Sequence, residues 1–443
     1  MRTAKRHPVA ILGAGLAGVT AAATLRQQGV PVRLYEAGRQ IAGLAASFKD
    51  DQGFSNDFGA HFVTNRLAAA VGVGAICEDV RYYGESVLLR GKSYSYPFGL
   101  LRNPRFLLSG VATRVLDGRR LPTSVAEYFR ATYGSALADE VAIPLVEAWS
   151  GASADTLAPS VASDKFQHGV LHSLGLKLAS RMTGRAVANG YSHEMPESRH
   201  VWHVYPVGGV SVLVQRLAEG LGDAIQLESP VQAIVVDSGR VAAVRVHDRD
   251  EAVSAVISTA PCNVLPKLVI GTPAVQHLAR FRFRPMVFVN LRLRGRGLLP
   301  DTVLWTPEQE FSFFRVTEPT QSMPWLAPAG KCLITLDIGC EKQDELWSMD
   351  EDRLSELCLA QLTAIIPDVR QRFLGANVLR TPIAYPVFLN EYEHERQQLK
   401  QSTGVGGLYS IGRNGEFAHI LMEDVYWRTL AKVRQIVRDL QAA

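Results

Sequence analysis

Val9-Ala-Ile-Leu-Gly13-Ala-Gly15-Leu-Ala-Gly18 decides the fold. Four apolar residues make a short strand, and glycines at G-x-G-x-x-G spacing turn it into an Ala-rich helix that runs to about Gln28. The first glycine allows the tight turn, the second lets the backbone approach a pyrophosphate, and the third lets the helix pack against the strand. Gly13, Ala14, Gly15, Leu16, Ala17 and Gly18 are therefore candidate contacts, where unpaired N–H groups and the positive end of the helix dipole face phosphate. Gly29 closes the helix, Val30-Pro-Val-Arg-Leu-Tyr35 reads as the second strand, and Glu36 at its end can accept two ribose hydroxyls. A carboxylate there repels a 2′-phosphate, which argues against NADP and leaves NAD or FAD.

The rest of the chain bounds what such a unit can serve. With 443 residues, 47% of them hydrophobic, the chain buries a large core, and its length suggests about three domain-sized units or two built from interleaved segments. A net charge of +4 is too small to imply nucleic-acid binding. Five cysteines, never closer than eight positions, indicate neither a disulfide framework nor a CxxC metal site, and a reducing cytoplasm is the expected setting. The uncharged stretch from His7 to Leu25 behind Arg2, Lys5 and Arg6 imitates a signal peptide, but its strand-glycine-helix order is that of a βαβ unit. Neither a transmembrane helix nor a metal site is expected.

Beyond Glu36, the run to Ser47 resembles the E-x-x-x-x-x-GG-[RL]-x-x-[ST] signature of the flavin amine oxidase superfamily, which includes protoporphyrinogen oxidases, phytoene desaturases and UDP-galactopyranose mutases. One departure is Ala42, where the signature has its first glycine; the methyl narrows the loop without forbidding it. Asp57-Phe-Gly-Ala-His61 is similar to the family's D-x-G-x-H segment, and Tyr205-Pro-Val-Gly-Gly209 to its P-x-GG turn. Pro230-Val-Gln-Ala-Ile234 through Val256-Ile-Ser-Thr-Ala-Pro261 looks like the returning cofactor-domain strands, and Gly412-Arg-Asn-Gly-Glu-Phe417 resembles the C-terminal flavin-contact motif.

The resemblance implies an α/β fold. A Rossmann-like FAD-binding domain of the GR2 type would be assembled from residues 1–66, 205–262 and 402–443, interleaved with a helical substrate lobe, 67–204, and a sheet-rich one, 263–401. FAD would be the cofactor, with Ala37, Gly43, Leu44, Ala45, Val231, Gly412, Arg413 and Phe417 joining Glu36 and the glycine turn around it. It would be held non-covalently, since covalent members use a cysteine shortly before the C-terminal motif and no cysteine follows Cys358 here. The helix from about Met422 to Leu440 would point its dipole at the N1 and C2=O edge of the flavin.

In the middle of the chain, Ser124-Val-Ala-Glu127 and Ser348-Met-Asp-Glu351 have capping-box spacing and each should open a helix. Phe281 to Leu293 and Lys331 to Ile338 read as strands, and Leu121-Pro-Thr and Ala186 to Gly190 as surface loops. Arg102, Arg105, Arg114, Arg119 and Arg120, interleaved with Phe106 and Leu107, form a basic stretch read as a solvated face, with an anionic substrate or peripheral membrane contact as the functional alternative. Gly72-Val-Gly74 lacks the third glycine and is rejected as a second nucleotide site, so no NAD(P)H domain is expected.

Candidate catalytic residues are His61, as a base or a backbone tether, Arg315, for a substrate anion, and Arg413, as a charge near flavin or phosphate. Trp305, Phe311, Phe313, Phe314 and Tyr385 could line an apolar pocket or simply be core. The first reading is an FAD-dependent oxidoreductase that removes a hydride from a C–N or C–C bond of a small molecule and returns electrons to oxygen, a quinone or another acceptor. The alternative is a UDP-galactopyranose-mutase-like enzyme in which reduced flavin acts as a nucleophile without net redox change, supported by His61-Phe-Val-Thr64, Tyr96-Pro-Phe98 and the two arginines.

Overall fold

A computed structural model describes residues 7–59, 61–96, 98–116, 121–163 and 170–442. Val9–Leu12, Val32–Tyr35, Ala255–Ser258 and Leu408–Ser410 form a parallel sheet, extended at one edge by Ile225–Gln226 beside Val32–Tyr35. Successive strand residues face opposite ways, and here both faces are apolar. Val9, Ile11, Ala255 and Ile257 pack under helices Leu16–Gln27 and Met422–Ala442, whereas Ala10, Leu12 and Val256 meet an antiparallel layer of Arg249–Ala252, Arg240–Val246 and Val231–Asp237. Because the strands are parallel, the segments that leave their C-terminal ends, at Gly13, Glu36, Thr259 and Gly412, gather along one edge and open a crevice there.

A seven-stranded sheet in the order Phe373–Pro386, Phe283–Arg294, Lys331–Gly339, Arg315–Thr317, Val303–Trp305, Glu85–Leu89, Lys92–Ser95 faces that crevice. Val287, Val289, Leu291, Ile334, Leu336 and Ile338 point away from it, onto Leu354, Cys358 and Leu362 of helix Glu351–Leu362. The other face carries Met286 and Phe288, with Asn290, Thr335 and Asp337 in the same alternation.

Several sequence expectations are corrected. Segment 67–204 is not only a helical lobe, since Glu85–Leu89 pairs in parallel with Val303–Trp305 and joins the large sheet. The strand read from Phe281 begins at Phe283. Ser124 caps helix Val125–Tyr133 as its spacing predicts, but helix Glu351–Leu362 is capped by Asp350, which accepts from the Arg353 N–H, rather than by Ser348. Ala186, Val187 and Ala188 are buried rather than looped on the surface, bonding through backbone to Val80, Val201 and His203. Gly72 caps the C-terminus of helix Asn65–Val71.

Candidate active site

At the crevice, the three glycines are held as their spacing predicts. Gly13 has φ +96° and its amide donates to the Tyr35 carbonyl (2.8 Å), which locks the turn to the second strand. A methyl at Gly18 would collide with the Gly13 carbonyl oxygen, so the helix can approach only without a side chain there. At Gly15 a methyl would meet nothing nearer than the Ala42 carbonyl at 3.9 Å, which leaves the space in front of the helix N-terminus open. The first N–H groups of the helix have no intrahelical acceptor and face that space. Glu36 lies across the turn: its carboxylate accepts from Ala14 N–H (2.7 Å) and Gly38 N–H (2.8 Å), which fixes both oxygens at the end of the strand. The Ser229 amide donates to the Glu36 carbonyl (2.8 Å), which brings Val231, two residues on, to the same edge.

Ala14, Leu16, Ala17 and Ala45 are buried in the core, so only their backbones are available to a ligand, whereas Ala37 and Gly43 are exposed and Leu44 half-buried. Ala42, where the family signature has glycine, takes φ +90°. Its amide bonds the Ala14 carbonyl (2.9 Å), holding the second loop against the first. Asp57 is the knot behind both: it accepts from Ser47 Oγ (2.6 Å) and Tyr205 Oη (2.8 Å), while Ser47 Oγ accepts from Ser211 N–H (3.2 Å) beyond the P-x-GG turn.

At the C-terminal motif, Gly412 has φ +78° and a methyl there would press on Ala17 Cβ at 2.7 Å, so this turn docks directly on the glycine-turn helix. Arg413 reaches from it across the crevice, its guanidinium 4.8 Å from the Tyr385 ring centre on the large sheet. Arg413 Nε and Nη2 are buried without a hydrogen-bond partner, and among the described residues no carboxylate pairs with the guanidinium. Burial pushes its pKa down, Tyr385 opposes this, and Arg315 nearby adds repulsion. Phe417 is corrected as a side-chain contact: φ +50° turns its ring into the core, where it is fully buried 4.5 Å from Phe281 and 5.3 Å from Phe388.

Arg315 is bonded to Asp337 across adjacent strands and lies 5.6 Å from the Trp305 ring centre. Burial works against its charge, but Asp337 with the Tyr385 and Tyr83 hydroxyls more than compensates, so the guanidinium stays ionised. Burial raises the Asp337 pKa against the pull of Arg315 and of His61. His61 Nδ1 is buried, within ion-pair range of Asp57 Oδ2 at 3.6 Å but without a hydrogen bond. The aromatic wall is made by Trp305, Phe314 and Tyr385, with the Tyr385 ring stacked on His419 (5.6 Å, 13°) and Trp149 set edgewise to both. Phe311 and Phe313 pack on the opposite face of the sheet instead.

The sequence reading missed Asp337, Trp149 and His419. A lone acid between Leu336 and Ile338 was a usable signal, because a carboxylate inside an apolar strand is buried only with a partner. Helix Met422–Ala442 forms close to the bounds that the resemblance implied. Its first turn carries the fully buried Glu423 and Asp424, which accept from Thr64 Oγ1 (2.9 Å), Arg66 Nε (2.5 Å), Ser192 Oγ (2.6 Å) and the His193 amide (3.0 Å). These acids stand at the positive end of the helix dipole.

The family model described as flavin containing amine oxidoreductase matches residues 108–426, and a model of NAD(P)-binding Rossmann-like domains matches 11–69. Protoporphyrinogen oxidase 2, chloroplastic/mitochondrial, of Arabidopsis thaliana is 24% identical over 92% of this chain and 89% of its own length. Among solved structures, reduced UDP-galactopyranose mutase superposes with TM-score 0.77 at 18% identity, covering 98% of this chain and 96% of that one. A putative protoporphyrinogen oxidase from Exiguobacterium sp. 255-15 gives 0.76 at 18% identity, covering 99% and 100%.

Proposed function

Because this chain belongs to the family of flavin-containing amine oxidoreductases and is an FAD-dependent oxidoreductase, we propose that it removes a hydride from a C–N or C–C bond of a small substrate that is neutral or anionic beside the cofactor. FAD supplies the hydride acceptor. The open space before Gly15, the Glu36 carboxylate and the exposed Gly43 loop fit its dinucleotide part.

The observation that carries the substrate reading is Arg413. A buried guanidinium without a carboxylate partner among the described residues, close to a second one at Arg315, repels an ammonium group and attracts an anion in a medium where charges are poorly screened. An amine would have to enter unprotonated. A carboxylate or phosphate gains by giving Arg413 its missing partner, and a flat ring gains contact with Trp305, Tyr385 and Trp149. His61 is the candidate to take the proton that leaves with substrate oxidation, since its Nδ1 is buried without a hydrogen bond and stands 3.6 Å from Asp57 Oδ2.

A second reading, redox-neutral catalysis on a nucleotide sugar, draws on the same two arginines as a diphosphate clamp. Asp337 already neutralises Arg315, which leaves Arg413 as the one of the two without a carboxylate among the described residues and favours the first reading.

Anaerobic mixing of the oxidised enzyme with a panel of carboxylated cyclic compounds and amines separates the two. Under the first reading a substrate bleaches the yellow colour, and an added acceptor restores it with one acceptor consumed per product. Turnover of a nucleotide sugar only after dithionite reduction, without acceptor use, overturns it.

A further inference from the structure

Helix Ile143–Ser150 carries Leu145 and Trp149 onto the large sheet beside Met286, Trp305 and Tyr385, and so supplies one side of the aromatic wall. The chain before it does not fix its direction. From Ser135–Leu137 it passes through a widened turn, Ala138–Ala142, in which the Ile143 N–H reaches the Ala138 carbonyl five residues back. Pro144 accounts for the widening: it has no N–H to donate, and in a plain helix its ring would press on the Glu140 carbonyl. Helices bend at such turns, so the segment that ends in Trp149 needs an anchor of its own.

Arg284 supplies that anchor. It lies opposite Tyr385 where strands Phe283–Arg294 and Phe373–Pro386 pair, and only 8% of it is exposed. Its guanidinium occupies a space that two glycines leave open. A methyl at Gly151, which caps the helix with φ +66°, would strike the guanidinium. A methyl at Gly339 would strike the Ala148 carbonyl and come within 3.3 Å of Arg284 Nε. The cation therefore sits beside the last carbonyls of the helix, at the negative end of its dipole. Nε is buried without a hydrogen bond in the space it shares with the Ala148 carbonyl, while Nη1 donates to Glu341 (2.6 Å). Glu147 also accepts from the Ala154 amide (2.9 Å), but that bond ties the helix to the chain that follows it, not to the sheet.

We propose that Arg284 is the positioning residue of the aromatic wall: by clamping the end of helix Ile143–Ser150 on the sheet it sets Trp149 edgewise to Tyr385 (5.1 Å) and His419 (4.9 Å), and with it the preference of the crevice for flat rings. The assignment rests on the reading of the crevice as a site for a carboxylate beside a ring.

The test titrates benzoate and propionate against the flavin absorbance of the full-length, FAD-loaded protein, in wild type, Arg284→Met, Arg284→Lys and Trp149→Ala. Both acids can meet Arg413, but only benzoate gains from the wall. Arg284→Met should weaken benzoate about tenfold and propionate less than twofold, the loss expected for one displaced aromatic contact. Arg284→Lys, which keeps the charge but not the planar fork, should weaken benzoate about threefold. In the Trp149→Ala background Arg284→Met should cost nothing further. Trp149 emission, obtained in each background by difference against Trp149→Phe, should move to longer wavelength with Arg284→Met. Retained flavin absorbance and an unchanged circular dichroism spectrum identify folded variants. Equal loss of both acids, full additivity with Trp149→Ala, or an unchanged Trp149 emission overturns the proposal. If neither acid perturbs the wild-type flavin, the reading of the crevice falls, and the emission shift alone decides for or against the clamp.

Discussion

Ala42 holds φ +90° with its methyl almost fully buried, in backbone territory that favours glycine. The position is tolerated because its amide ties the Ala14 carbonyl and so fastens the second loop to the glycine turn. Ala42→Gly relieves a left-handed penalty of roughly 1–2 kcal/mol and gives back part of it through a freer unfolded chain. A net gain of about 0.5–1 kcal/mol in denaturant unfolding is expected; a loss would show that the methyl contributes packing worth more than the strain. Glu36→Ala removes the acceptor we propose for the ribose hydroxyls and should raise the FAD dissociation constant about ten- to hundredfold, measured by flavin fluorescence, as for a charge-assisted hydrogen bond of about 1.5–3 kcal/mol. Both positions were legible in the sequence because the glycine turn, the acid and the second loop are read along one short piece of chain. Asp337 was not legible as the partner of Arg315. Twenty-two positions separate them, and only the pairing of strands Arg315–Thr317 and Lys331–Gly339 makes them neighbours.

Elements carry their own consequences. His203 lies on His203–Pro206, the middle strand of a three-stranded sheet, enclosed by Phe62, Tyr83 and Tyr191. Burial pushes its pKa down to about 4. Between pH 6.5 and 4 the unfolded chain therefore binds this proton more readily than the folded one, so stability present above pH 6.5 is lost as the pH falls through that window. The total is about 3 kcal/mol, and His203→Leu should flatten this part of the pH–stability curve in urea titrations. An unchanged slope would assign it to other groups. The last helix offers a second test. Glu423→Gln leaves Arg66 facing a buried neutral amide and should cost about 2 kcal/mol in unfolding free energy, less than a fully buried pair because Arg66 is partly exposed. A neutral result would mean that the carboxylate contributes no net charge interaction. That helix was implied by the resemblance of the Gly412–Phe417 motif that precedes it, whereas the partners of its acids come from residues 64–66 and 192–194 and could not be read locally.

For the whole molecule, the first two parallel strands followed from strand-glycine-helix order, a local connection, whereas the return of Ala255–Ser258 beside them was read from the resemblance. The incorporation of Glu85–Leu89 into the seven-stranded sheet followed from neither, since its partner Val303–Trp305 is distant in the chain. The same long-range closure builds the substrate crevice from the Gly412 turn, the sheet face and Trp149. With no cysteine after Cys358, acid precipitation of the holoenzyme should leave a white pellet and a yellow supernatant. Colour retained in the pellet would reveal a covalent link.

The central claim is that the crevice beside FAD takes an anionic or neutral ring rather than an ammonium ion. Flavin difference spectra with benzoate and benzylamine at neutral pH, on wild type and Arg413→Met, test it most directly. The account predicts a saturable perturbation by benzoate, none by benzylamine, and loss of the benzoate response in the variant. Saturable perturbation by benzylamine alone, or benzoate binding indifferent to Arg413→Met, would contradict it.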